Sequence, residues 1–366
     1  MNEFIITATR SMKDYASRVV KYITAAPRFR DSAEMIDGVE LLGTERFADG
    51  EMEVSINKSV RGKDVVLFAN CARNDAGLGV EEAKVELYYA VDALKRSQAK
   101  KIFVFEPFIS CSRSDRATRR NSVGIWVHLK ILTSLGAKHI LTYQLHSNKS
   151  VSMLDPTICA IDNIPLMNLM KRYICDVYIR SVNVLEEEVR RHWAFCSVDA
   201  GGEKLAREFA NAFGAPLVIA HKQRDYSKIN TIESINILSA EPVEGKTLWI
   251  VDDMIDTAGS IESLILALRP LRPREINIIA PHAVFSHPAA ERLNKLAEDK
   301  LLNRVIVADT VSASAFQDIK PRIEVVPSTE LSAGIIRILM LNDSMSKVMN
   351  PFSAERYLKS PGLFNS

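Results

Sequence analysis

The chain has 366 residues, enough for two domains of ordinary size, each with its own core. Its 47% apolar and 25% charged content is that of a soluble globular protein, and 47 basic against 45 acidic residues leave a formal charge of only +2, which argues against nucleic-acid or membrane binding. Five cysteines, Cys71, Cys111, Cys159, Cys175 and Cys196, are scattered without a Cys-x-x-Cys pair, so they are expected to be reduced thiols of a cytoplasmic protein, not a disulfide framework or zinc site.

Met1-Asn-Glu-Phe-Ile-Ile-Thr7 has no basic region leading into an apolar core, so no signal peptide is expected. No apolar run approaches the roughly 18–20 residues that span a bilayer. Strand-like runs then alternate with helical patterns. Phe4–Thr9 precedes a helix around Tyr15–Tyr22, and Asp64–Ala69 precedes one over Val80–Arg96. Lys101–Phe105 leads to a helix over Val123–Leu135, and His139–Tyr143 to one over Leu166–Arg180. Trp193–Val198 is followed by a helix over Glu203–Phe213, and then by the strand Pro216–Ala220. Thr247–Val251 leads to a helix beginning near Ile261, and Ile276–Ala280, Arg304–Val307 and Arg322–Val326 complete the strands.

Unbroken Val and Ile runs suit parallel strands buried on both faces. Their alternation with helices predicts an α/β fold of two similar domains, each an open, mainly parallel sheet flanked by helices. The weakest patterning, Leu154–Asp162, is taken as the crossover, giving domains 1–160 and 161–330. A last helix, Leu331–Val348 within 331–366, is expected to pack back on the first domain.

Ligands of such sheets sit beyond the C-terminal ends of strands, and six polar clusters follow strands or turns. The richest is Thr247-Leu-Trp-Ile-Val-Asp-Asp-Met-Ile-Asp-Thr-Ala-Gly-Ser260. A capped helix start needs one polar residue; here Asp252, Asp253, Asp256, Thr257, Gly259 and Ser260 crowd one loop. Unpaired N–H groups at a helix start bind phosphate, Ala258 and Gly259 would let the anion come close, and the acids suit ribose hydroxyls or a hydrated cation. Ser197-Val-Asp-Ala-Gly-Gly202 is a second glycine-bearing strand end, where Asp199 would face the ligand or the segment is a plain turn. Arg113-Ser-Asp-Arg-Ala-Thr-Arg-Arg120 is a solvated loop or a grip on polyphosphate oxygens. His146, in Gln144-Leu-His146, and the cluster His221-Lys222-Gln-Arg224-Asp225 each follow a strand. The latter opens a polar segment, Tyr226–Ser234, and its charges could stabilise phosphoryl transfer or simply be solvated. The turn Arg46-Phe-Ala-Asp-Gly-Glu51 could present Phe47 to a base, with Asp49 and Glu51 as acceptors. No P-loop occurs, and Gly77-Leu-Gly79 lacks the third glycine of a dinucleotide fingerprint.

These clusters, in this order, resemble the ribose-phosphate diphosphokinase (phosphoribosyl diphosphate synthetase) family over nearly the whole chain. Ser59-Val-Arg-Gly-Lys-Asp64 and Leu135-Gly-Ala-Lys-His-Ile-Leu141 belong to the likeness. Val251–Ser260 resembles the phosphoribosyl diphosphate signature that phosphoribosyltransferases share; Phe47–Glu51, Arg113–Asp115 and Leu145-His146 select the synthetase. The resemblance implies a type I phosphoribosyltransferase-like fold and transfer of the diphosphoryl group of Mg-ATP to O1 of ribose 5-phosphate. It implies Asp252, Asp253, Asp256, Thr257, Ala258, Gly259 and Ser260 for ribose 5-phosphate, and Phe47, Asp49, Glu51, Arg113, Ser114 and Asp115 for ATP. It further implies His146 and Asp199 as Mg2+ ligands and Lys222 and Arg224 as the catalytic pair. The family's subunits form dimers and often hexamers, which implies a homo-oligomer with the ATP site near a subunit interface.

The chain departs from the family pattern at several places. Arg-Gln-Asp-Arg-Lys becomes Arg113-Ser-Asp-Arg-Ala117, Asp-Leu-His becomes Gln144-Leu-His146, and Pro-Asp-Ala-Gly-Gly becomes Val198-Asp-Ala-Gly-Gly202. Asn121-Ser-Val-Gly124 replaces the Ser-Arg-Ala-Pro associated with control by phosphate and ADP, which implies atypical regulation. Residues 26–37 form an expansion. The alternatives are a non-catalytic homologue that restrains an active synthetase, or a phosphoribosyltransferase joined to a binding domain.

Overall fold

The computed structural model describes residues 4–32, 36–224, 232–312 and 318–361. They fall into two units, each built on one sheet. The first unit runs through Pro165 and regains the chain briefly from Thr310 and again at Pro327–Met349; the second begins at Leu166 and takes up the chain again from Asn350.

Seven strands belong to the first unit: β1 (Phe4–Ala8), β2 (Leu42–Arg46), β3 (Met52–Ile56), β4 (Asp64–Phe68), β5 (Lys101–Glu106), β6 (His139–Tyr143) and β7 (Ala160–Ile164). Five make a wholly parallel sheet in the order β1-β4-β5-β6-β7. Every residue of β1 and β4 is buried, as strands covered on both faces require. Leu87 and Val91 of the helix Val80–Arg96 and Leu129 of the helix Gly124–Leu135 pack on Val65, Leu67 and Val104. Each helix has a local start or stop. Glu82 reaches back to accept from Gly79 N at 2.9 Å, and Gly136, with φ of 111°, ends the second in the left-handed conformation.

The segment expected as the crossover runs into β7, and the chain stays in the first unit to Pro165. Its Asp162 accepts from His139 Nε2 across the strand pair at 2.9 Å, a polar pairing that masks a strand in the sequence. The long last helix is shorter than expected, ending at Leu341 with Asn342 left-handed at φ of 52°. Within the first unit it packs on the helix Lys13–Thr24, where Tyr15 Oη bonds Ser328 Oγ and Ser332 Oγ at 2.7 and 2.8 Å.

The second unit holds β8 (Trp193–Ser197), β9 (Leu217–Arg224), β10 (Ile232–Ser239), β11 (Thr247–Val251), β12 (Met254–Ile255), β13 (Glu275–Ile279), β14 (His282–Ala283), β15 (Arg304–Ala308) and β16 (Arg322–Val326). Seven form a sheet in the order β10-β9-β8-β11-β13-β15-β16. From β8 the chain builds one way to β10, then returns to β11 and builds the other way. The reversal between β8 and β11 is the topological switch point, where open α/β sheets take their ligands. Ile250, Ile278 and Val305 carry the core, against Leu264 and Ile265 of the helix Gly259–Leu268.

The strand expected to stop at Ala220 continues to Arg224, so His221 to Arg224 lie on β9 and not in a loop beyond it. The antiparallel partner β10 stabilises the extension, with Lys222 opposite Ile235. Along β10, Ile235 and Ile237 pack on the core while Asn236 and Leu238 are exposed. That one-sided alternation marks an antiparallel edge with one wet face. Residues 225–231 of the polar segment, including Asp225, lie outside the described residues. Among the described residues no helix is long and apolar enough to cross a membrane.

Candidate active site

β11 delivers Asp252 and Asp253 to the switch point. Asp252 N still bonds Ile279 O at 3.0 Å, so the strand's ladder holds the first acid in place. Asp253 N turns back to Asp252 Oδ1 at 2.9 Å. β12 then pairs with β14 in a short second ladder. His282 N donates to Asp253 O at 3.3 Å and Phe285 N to Ile255 O at 2.9 Å, which brace the loop from behind. Ala258 follows at φ of 59°, a left-handed conformation that costs a non-glycine residue about 1–2 kcal/mol. Its carbonyl accepts from Glu262 N at 2.9 Å and starts the helix at Gly259. The first-turn N–H groups of that helix lack intrahelical partners and suit an anion.

β8 places Asp199 beside these acids, since Ser197 and Val251 are paired in register and Asp199 and Asp252 each lie just beyond. Gly201 N and Gly202 N both donate to Asp199 Oδ1, at 2.9 and 3.1 Å. The backbone of the two glycines thus anchors the carboxylate itself. Burial, then the charges of Asp253 and, more weakly, Asp199, push the Asp252 carboxyl well above the usual carboxylate range. Carboxylates that repel one another in this way suit a cation. Among the described residues no three His, Cys, Asp or Glu side chains are gathered as a preformed metal cage.

In the first unit, Arg46-Phe-Ala-Asp-Gly-Glu51 is the tip of the β2–β3 hairpin. Phe47 N donates to Glu51 O at 2.8 Å, Gly50 N to Phe47 O at 2.9 Å, and Glu51 N to Asp49 Oδ1 at 3.0 Å. Gly50 sits at φ of 94°, and the tight turn leaves Phe47 49% exposed. The hairpin's stem is fixed through buried Glu86, which accepts from Thr44 Oγ1 at 3.0 Å and Arg10 Nε at 2.9 Å.

The loop after β5 holds Arg113 exposed and Asp115 half-buried. Ser114 Oγ donates to Ser122 O at 3.2 Å and accepts from Gly124 N at 2.9 Å. A serine where the family pattern has glutamine thus ties the loop's two ends together and holds the start of the helix Gly124–Leu135. Gly124 leaves room for this, because a Cβ there would lie 3.2 Å from Ser114 Cβ. A cleft of about 520 Å³ borders the loop, lined by Asp115, Arg116, Val123, Trp126 and Met153 among others.

His146 is exposed just past β6. Gln144 turns the chain at φ of 42°, and Leu145 N bonds Asn163 Oδ1 at 2.8 Å. The other two histidines of this unit behave as structural residues. His139 pairs with Asp162, and buried His128 lies between Glu106 Oε2 at 2.6 Å and Tyr88 Oη at 2.9 Å.

The residues therefore form two groups: Asp199, Asp252, Asp253, Asp256, Thr257, Ala258, Gly259 and Ser260 in the second unit, and Phe47, Asp49, Glu51, Arg113, Ser114, Asp115 and His146 in the first. Lys222 and Arg224 stand on β9, the strand beside β8.

Residues 4–136 match the N-terminal domain of ribose phosphate pyrophosphokinase and residues 180–315 match the phosphoribosyl transferase domain. A ribose-phosphate pyrophosphokinase of Thermosipho africanus is 30% identical over 92% of this chain and 95% of its own length. That of Ureaplasma parvum is 30% identical over 83% and 88%. The chain belongs to the ribose-phosphate pyrophosphokinase family. The crystal structure of phosphoribosylpyrophosphate synthetase from Mycobacterium smegmatis, 26% identical, overlays with a TM-score of 0.76 over 93% of this chain and 100% of that one. Two α/β domains on mainly parallel sheets, the second of phosphoribosyltransferase type, are thus the family fold and the fold found here.

Sequence reasoning missed one neighbour of the family's signature loop. Arg292, on the helix Ala289–Glu298, donates from Nη1 to Thr257 O at 2.9 Å and pairs through Nε with Glu262 Oε2 at 3.1 Å. It lies 35 residues downstream of Thr257 within an ordinary amphipathic helix, and no local pattern announces it.

Proposed function

We propose that the chain is an active ribose-phosphate diphosphokinase that makes phosphoribosyl diphosphate and AMP from ATP and ribose 5-phosphate. The observation that carries this reading is the switch point of the second sheet. There, aspartates from adjacent strands meet a helix N-terminus, so hydroxyl acceptors and a phosphate cradle lie in one loop. Asp252, Asp253 and Asp256 take the sugar hydroxyls and the N–H groups from Thr257 to Ser260 the 5-phosphate. Phe47, Asp49 and Glu51 take adenine, and Arg113 with Asp115 the ATP side of the loop. Ser114 acts there by holding the loop's shape.

The sugar's O1 attacks the β-phosphorus of ATP, the bond from that phosphorus to the α–β bridging oxygen breaks, and AMP departs with that oxygen. The O1 proton passes to solvent. Lys222 and Arg224 neutralise charge on the transferring group, the contribution that matters most where little covalent chemistry falls to the protein.

Magnesium fits the donor set. Asp199 offers hard carboxylate oxygen, and it stands beside Asp252 at the ends of the paired strands β8 and β11. Asp199 of the second unit and His146 of the first are the residues that would hold the ion. The ion when bound offsets phosphate charge. Assembly into dimers or hexamers, with the exposed Phe47 hairpin meeting a neighbouring subunit's nucleotide, completes the proposal.

The test is incubation with ribose 5-phosphate, Mg2+ and ATP. AMP and phosphoribosyl diphosphate appearing together in equal amounts is the expected result. Absence of both at high protein concentration overturns the reading, and ATP-independent consumption of phosphoribosyl diphosphate with a base would replace it by a phosphoribosyltransferase.

A further inference from the structure

We infer that Arg292 is a positioning residue for the ribose 5-phosphate loop, and that Gly259 lacks a side chain to admit its guanidinium. The inference rests on the reading that this loop holds ribose 5-phosphate. Three observations converge on it. Arg292 Nη1 bonds the carbonyl of Thr257, the residue just before left-handed Ala258. Its Nε is held by Glu262 Oε2, in the first turn of the helix that the loop initiates. A Cβ built on Gly259 would lie 2.8 Å from Arg292 Nη1, 3.4 Å from its Cζ and 3.8 Å from Nη2, and these are its three nearest atoms.

The glycine at the phosphate end of the loop therefore faces the arginine behind it. One planar fork spans both sides of the turn, from the Thr257 carbonyl to the Glu262 carboxylate. A guanidinium suits this task because its donors have fixed relative directions, which an ammonium lacks. The bond to a carbonyl orients the peptide whose N–H belongs to Ala258, so it bears on where the loop's N–H groups point. With Ala258 already strained, a free turn has a lower-energy backbone to relax into. Arg292 does not touch substrate in this account. It preserves the N–H directions on which a phosphate depends, and small misplacements of binding groups have large effects.

The same geometry supplies a mild probe. Alanine is a better helix residue than glycine, and the atom it would strike is the far end of a flexible side chain. Gly259→Ala therefore displaces Arg292 without unfolding the protein. The experiment measures KM for both substrates, kcat and thermal unfolding in the full-length protein and its variants, with binding of ribose 5-phosphate by calorimetry.

Arg292→Ala is expected to raise KM for ribose 5-phosphate about tenfold while KM for ATP stays within about twofold. Gly259→Ala should do the same with Tm unchanged or raised. The double variant Gly259→Ala/Arg292→Ala should be no worse than Arg292→Ala, because the added methyl group fills vacated space. Arg292→Lys should resemble Arg292→Ala. Multiplying effects in the double variant would mean that Gly259 acts directly on the phosphate, and full recovery by lysine would mean that only charge matters; either overturns the inference. Should Arg292→Ala fail to fold, Gly259→Ala decides alone, and an unchanged KM for ribose 5-phosphate sinks it. If the unmutated protein neither binds ribose 5-phosphate nor makes phosphoribosyl diphosphate, the functional reading fails instead.

Discussion

The acidic loop of the second unit and the hairpin and arginine loop of the first are built on opposite plans. Val251–Ser260 leaves a buried strand, is braced by a second ladder at β14 and is tied to a helix by Arg292. Its Asp253 is buried and its Ala258 is held in a strained conformation that only a rigid surround maintains. The Phe47 hairpin tip and the residues from Arg116 to Arg120 are exposed, with their bonds mostly inside their own turns. The first loop is shaped before any ligand arrives. The second group offers side chains on well-anchored stems and leaves the tips exposed.

Removing charge from the preformed loop should have the largest effect. Asp252→Asn keeps the Oδ1 that accepts from Asp253 N, yet should lower kcat/KM by about 100-fold, on the scale of losing one preorganised polar group. The same substitution should stabilise the ligand-free protein at neutral pH. The folded state holds the Asp252 proton at pH values where the unfolded chain has released it, so stability falls as pH rises from the ordinary carboxyl range through the raised folded value. The asparagine variant escapes that loss, and its Tm advantage should vanish below about pH 4, the unperturbed carboxyl range. An advantage independent of pH would show that the acidic cluster is not electrostatically loaded.

Lys222→Ala comes next, with turnover falling about 100-fold and substrate KM values nearly constant, as for a group that acts only as charge develops. A loss confined to KM would reassign it to binding. On the exposed side, Phe47→Ala should raise KM for ATP about tenfold, near the ~1–3 kcal/mol of a base-stacking contact, and leave ribose 5-phosphate unaffected. An equal effect on both substrates would end the contrast between the two regions. Ser114→Ala removes two hydrogen bonds of about 0.5–1.5 kcal/mol each, and should raise KM for ATP about threefold through a looser loop. The smallest effect sharpens the idea of stored strain: Ala258→Gly should raise stability by about 1 kcal/mol in a denaturation curve, since glycine accepts φ of 59° freely.

Local patterns revealed most strands of both sheets, because short Val and Ile runs such as Asp64–Phe68 and Thr247–Val251 suit strands buried on both faces. Elements that depend on a partner were missed. β7 carries Asp162 and Asn163, β10 alternates on one face only, and β9 outruns its apolar stretch because β10 pairs with its polar end. In the same way His221 to Arg224 looked like a loop.

The sequence by itself determined the chemistry of this protein: which acids follow which strand, which loop precedes a helix, and a family likeness spread over nearly the whole chain. These are properties of consecutive residues, and chain connectivity preserves them. Only the tertiary structure decided that β8 and β11 are neighbours across the switch point, so that burial and the Asp253 charge raise the Asp252 carboxyl and Asp199 adds to them. It alone set Arg292 behind Thr257 and turned Gly259 toward the guanidinium. Strand order and side-chain contact across 35 residues arise from packing, and no periodicity in the chain encodes them.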